Sequence, residues 1–149
     1  MRALLPPLAL AVLLTACAST VLGPTGAEPE PGTLIRAEPR HVLPALLVRG
    51  ALWYAELPGP TPIRCSARIF SVEYWTRDAR GRPAPASGLY AEPGCRTPRA
   101  VVSYQHGSVS RREDVPSAPN TEGLAAAGVF AGGGYLLVAP DYPGLGRSP

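Results

Sequence analysis

The 149-residue chain carries fourteen arginines and no lysine against eleven acidic residues, a formal net charge of +3, with 19 prolines and 16 glycines. One modest domain fits that length. Scattered basic residues without an aromatic–basic stripe argue against nucleic-acid binding, and two histidines and three cysteines without C-x-x-C or H-x-x-x-H spacing argue against a metal site.

The first segment, "MRALLPPLALAVLLTACAST", has one basic residue, an apolar run from Ala3 to Leu14 and small residues behind it. This is the pattern of a secretory leader, and the run is too short for a permanent membrane span. Within it, Leu14-Thr15-Ala16-Cys17 resembles the lipobox of bacterial lipoproteins, which implies acylation of the Cys17 thiol and a membrane partner reached through that lipid. Cleavage at an ordinary A-x-A site, Ala16-Cys17-Ala18, would instead discard the cysteine and release a soluble exported protein. Both routes lead out of the cytoplasm, where Cys65 and Cys95 are expected to pair across a loop of about thirty residues, a bridge that contributes on the order of 3 kcal/mol.

The expected organisation is a signal peptide over 1–16, a tether over 17–44 and a folded domain over 45–149. Residues 21–44 are dense in Pro, Gly and Glu, too poor in apolar area to fold alone, and His41 is read as a solvated linker residue. "LLVRGALWY", from Leu46 to Tyr54, is apolar but broken by Arg49 and Gly50, so periodicity leaves helix and strand open. The β-branched and aromatic run "ARIFSVEYWT" predicts a strand over Ala67–Thr76, with Tyr74 and Trp75 as sheet packing. "RDARGRPAP" supplies turn residues, and "ASGLYAEP" the returning strand of a hairpin.

Two further strands are expected, "RAVVSYQ" over Arg99–Gln105 and "YLLVA" over Tyr135–Ala139. Between them Asn120 is placed to cap a helix through "TEGLAAAGVFA", Glu122 favours its first turn, and Gly132, Gly133 and Gly134 end it. Strand, loop, helix, strand is a right-handed βαβ crossover, the unit of a parallel sheet. The fold class is therefore α/β, with an antiparallel hairpin leading in.

The loop after the first of these strands begins Gln105-His106-Gly107-Ser108. Backbone N–H groups just past the carboxyl end of a parallel strand face the crevice where open α/β sheets bind ligands, and there they can stabilise an oxyanion. The ordered set "VEYWTRDARGRPAPASGLYAEP", "SYQHGS", "PSAPN" and "GYLLVAPDYPGLG" resembles the amino-terminal half of secreted lipases and esterases of the α/β-hydrolase fold, from about Gly32 to Pro149. That resemblance implies a partial α/β-hydrolase sheet without its carboxyl-terminal half, oxyanion-hole donors at Gly107 and Ser108, site-shaping roles for His106 and Asp141, an ester or lipid substrate for a full-length parent, and no cofactor. Arg111, Arg112, Glu113 and Asp114 are read as a solvated loop face.

A G-x-S-x-G nucleophile elbow, followed by an acid and a histidine, is the remaining requirement of that family. Gly107-Ser108-Val109-Ser110-Arg111 fails at its last position, Gly146-Arg147-Ser148-Pro149 is incomplete, and no histidine follows Ser108 or Ser148. A serine without its base is a weak nucleophile. The expected protein is the amino-terminal part of an exported, lipid-anchored carboxylic-ester hydrolase of the cell envelope, inactive alone. The alternative is a non-catalytic membrane-anchored binding module.

Overall fold

The computed structural model describes residues 28–57, 62–118 and 120–148. The segment read as a leader, with Cys17, lies outside them. Five strands and two helices follow in the order β1 (Leu34–Leu43), α1 (Ala45–Tyr54), β2 (Ala67–Arg77), β3 (Pro83–Pro93), β4 (Val101–Ser103), α2 (Thr121–Gly132) and β5 (Leu136–Pro140). They form one sheet in the order β1-β2-β3-β5-β4. Pairing is antiparallel from β1 through β5 and parallel between β4 and β5, where Val102 lies opposite Leu137. The class is α/β as expected, with the hairpin leading into a parallel pair.

Period-two alternation builds the core. Ala67 and Ile69 on β2, Leu89 and Ala91 on β3, and Leu137 and Ala139 on β5 are all buried, and they meet Ala126, Ala127 and Ala131 of α2. Alanine on the helix lets its axis come close to the sheet, so a short helix covers three strands. Asn120 caps α2 by accepting the Gly123 amide at 2.7 Å, and Gly134, at φ +95°, turns the chain back into β5. Burial of this apolar area is worth roughly 25 cal/mol per Å², and it fixes the ends of β4 and β5 relative to each other.

Two readings of the amino-terminal region need correcting. The stretch read as tether supplies β1, and His41 sits in that strand opposite Ile69 rather than in a solvated linker. β1 is an edge strand, exposed at eight of its ten positions, so its stability comes from ladder hydrogen bonds to β2. Composition registers burial and does not register a ladder. Its register shifts between Pro39 and His41, and an edge tolerates a proline that has no N–H to contribute.

The ambiguous run 46–54 is helical. α1 packs Val48 against Gly128 of α2, where a Cβ would stand 3.1 Å from the Val48 Cγ2, so glycine sets the interhelical approach. Cys65 and Cys95 form a disulfide with Cα atoms 5.2 Å apart, joining the segments that flank the β2–β3 hairpin.

Candidate functional site

The two loops that leave the carboxyl ends of the adjacent parallel strands β4 and β5 meet above the sheet. Ring, side-chain and backbone contacts tie them together. Tyr142 Oη donates to the His106 carbonyl at 3.2 Å, and the His106 ring stacks on the Tyr142 ring with centroids 4.2 Å apart. Gly146 N donates to the Arg112 carbonyl at 2.9 Å, and Arg112 Nε returns a bond to the Gly146 carbonyl at 3.3 Å.

Asp141 is the centre of this junction and is fully buried. Its carboxylate accepts from Ser87 Oγ at 2.6 Å, from the Ser117 amide at 2.9 Å and from Ser117 Oγ in a very short contact. Its own amide donates to the Ser87 carbonyl at 3.0 Å. One carboxylate thus fastens β3, the loop after β4 and the loop after β5. Such a charge is tolerable in the interior because every donor is directed at it. The Tyr74 hydroxyl has its pKa raised by burial and by the negative charge of Asp141.

Backbone geometry around Asp141 is constrained. Tyr142 adopts φ +67°, a left-handed conformation unusual for a side chain of that size, and Gly144 and Gly146 follow at +84° and +55°. A Cβ at Gly146 would stand 2.5 Å from Ser87 Oγ and press on the Asp141 carboxylate. Glycine is therefore required there twice over, by conformation and by space.

His106 is 6% exposed, and its Nδ1 lies 2.8 Å from the Gly107 carbonyl. A carbonyl only accepts, so that nitrogen carries a proton. Nε2 faces a second carbonyl, that of Asp141, at 3.4 Å. With both nitrogens turned to backbone and none to a hydroxyl, the ring holds the loop.

Gly107 and Ser108 are exposed in the loop after β4, and among the described residues their amides donate to no acceptor. Neither a positive φ nor a close neighbour demands glycine at 107. The left-handed turns are at 142, 144 and 146 instead.

Beneath the junction lies a polar hollow of about 20 Å³ lined by Arg36, Glu73, Ser87 and Arg147, room for a water at most. A wider crevice of about 290 Å³ opens beside it, lined by Arg40, Arg112, Glu113, Ser117 and Arg147. Glu73 accepts from Arg36 at 2.7 Å and from Arg147 at 2.5 Å, and these two guanidinium groups, Arg147 foremost, hold its carboxyl below the ordinary glutamate range. Ser148 is 2% exposed, and its Oγ has no partner among the described residues. No group of three metal-ligating side chains gathers among the described residues.

No protein family matches the sequence, and no curated protein matches it either. Solved structures do. A variant of the rice cell wall degrading esterase LipA from Xanthomonas oryzae superimposes with a TM-score of 0.69 at 25% identity, over 80% of this chain and 31% of that one. Unsubstituted LipA gives 0.66 at 23% identity over the same shares. A candidate hydrolase from Legionella pneumophila gives 0.62 at 31% identity, over 77% of this chain and 32% of that one. The chain has a partial α/β-hydrolase-like fold. It spans about a third of the length of the solved structures it matches.

On this α/β-hydrolase-like sheet, sequence reasoning singled out His106, Gly107, Ser108 and Asp141, and it did not single out Ser87, Ser117, Glu73 or Arg147, which the fold brings to the same junction. Ser87 precedes Asp141 by 54 positions and Ser117 by 24. No local spacing signals such partners.

Proposed function

We propose that this chain furnishes the amino-terminal part of an exported, lipid-anchored carboxylic-ester hydrolase. The observation that carries the reading is the pair of loops after β4 and β5, held by Asp141, which leaves the Gly107 and Ser108 amides directed at no acceptor. In an acyl-transfer reaction those amides would receive the oxyanion of the tetrahedral intermediate. His106 and Asp141 would shape that loop and would not exchange protons with substrate.

Likeness to esterase and hydrolase structures supports the reaction class. The Cys65–Cys95 disulfide fits an extracellular or periplasmic setting. No helix among the described residues is long and apolar enough to cross a membrane, and attachment through acylated Cys17 is the proposed route to the envelope.

Among the described residues no histidine nitrogen bonds a serine hydroxyl, and Ser117 at the crevice is bonded to Asp141 instead. The purified chain is therefore expected to hydrolyse no p-nitrophenyl ester, and the nucleotides beyond codon 149 are expected to encode G-x-S-x-G, an acid and a histidine in that order. Hydrolysis abolished by a serine-reactive inhibitor would overturn the first expectation, and a downstream sequence without those elements the second.

A further inference from the structure

α1 is apolar on both sides. At 100° per residue, Leu46, Leu47, Gly50, Trp53 and Tyr54 share one stripe, opposite the Val48 and Leu52 that line the groove toward α2. The stripe is open to solvent, with Leu46 at 69%, Leu47 at 64%, Trp53 at 82% and Tyr54 at 85% exposure, and Leu57 continues it at 60%. It is continuous, through Leu47 and Leu57, with an apolar groove of about 460 Å³ between α1 and α2. Arg49 is the helix's one charge. A helix apolar all round has a second partner to find.

We infer that the outer face of α1 docks on a lipid surface, with Leu46, Leu47 and Leu57 among the upper acyl chains and Trp53 and Tyr54 at the headgroup level. The chemistry of the stripe favours lipid over another protein. Indole and phenol rings prefer the membrane–water boundary, and a flanking arginine suits anionic headgroups.

Chain length supports the same occupant, an argument that rests on acylation of Cys17. Glu28, where the described chain begins, lies eleven positions after Cys17, a stretch that at about 3.4 Å per residue can span at most roughly 37 Å. β1, which begins six positions later at Leu34, carries the chain to α1 over about 33 Å. The tether is thus long enough to bring α1 to the bilayer that holds its anchor. Two weak attachments on one chain then act as a single strong one.

The test uses the full chain carrying Trp75→Phe, which leaves Trp53 as its only tryptophan. It is mixed with phosphatidylethanolamine–phosphatidylglycerol vesicles with and without brominated acyl chains. Trp53 emission should shift to shorter wavelength and be quenched by bromine. Leu46→Asp with Leu47→Asp, at exposed positions that leave the circular dichroism unchanged, should weaken vesicle binding at least about tenfold, and Tyr54→Ser should weaken it less.

The Cys17→Ala chain, with acylation read by mass spectrometry of the amino-terminal peptide, separates the two ideas. Quenching that persists without acylation keeps the docking face and removes the anchor. An acylated chain whose Trp53 stays in water overturns the docking face and keeps the anchor. A Trp53 already shielded before lipid is added, with doubled mass in sedimentation, assigns the face to a second copy and also overturns the proposal.

Discussion

Asp141 shows how much a single buried carboxylate can hold. Two hydroxyls and one amide converge on it from β3 and the loop after β4. Asp141→Ala would leave all three donors without an acceptor in a closed space. At about 1–3 kcal/mol for each orphaned group, partly relieved by relaxation, the loss should be roughly 2–4 kcal/mol, read as a lower urea midpoint with an unchanged slope.

Gly146→Ala tests the same point from the other side. It places a methyl group against Ser87 and Asp141 and forces alanine to φ +55°. Destabilisation of about 2 kcal/mol is expected, and an unchanged midpoint would mean that the loop shifts freely.

At the level of elements, the Arg36–Glu73–Arg147 cluster couples β1 and β2 to the loop after β5. The folded Glu73 carboxyl has its pKa lowered, first by Arg147 and then by Arg36. Its contribution is therefore present above the ordinary glutamate pKa of about 4.3 and is lost as pH falls through the folded value. Glu73→Gln should lower the melting temperature at neutral pH by the equivalent of about 0.2–1 kcal/mol and leave it unchanged in acid. Equal effects at both pH values would show the pairs to be energetically idle.

The same scale decides what could be read in advance. β2, β3, α2 and β5 were legible because each buries a face at its own period, and Asn120 announced the start of α2 through its capping chemistry. β1 was hidden because its residues are exposed and are held by a backbone ladder and by long-range pairs such as Arg36–Glu73 and Arg40–Ser71, neither of which shows in local composition. α1 was hidden for the opposite reason, since apolar residues on both faces erase the amphipathic period. Gly107, His106 and Asp141 were singled out by their place after strands, and they do follow β4 and β5, whereas Ser87 and Ser117 become neighbours of Asp141 only once the sheet has formed.

Across the whole molecule, the sheet is strong at its centre and open at β4, where Val101 is 66% exposed. The disulfide lies on the other side, beside β2 and β3. Reduction, or Cys65→Ala with Cys95→Ala, should cost about 3.6 kcal/mol by loop entropy for a separation of 30 residues. A chain that melts at the same temperature with and without reductant would remove the bridge from the list of stabilising features.

That bridge has a consequence in time as well as in energy. On the proposed route out of the cytoplasm, threading amino-terminus first would deliver Cys95 before any of residues 101–148. By then β1, β2 and β3 are all across, a three-stranded antiparallel meander with both cysteines of its closure present. Oxidation can seal this half while β4, α2 and β5 are still on the far side. The later half would then assemble on a hairpin already closed covalently, and Asp141 would arrive after both Ser87 and Ser117, the two partners it fastens.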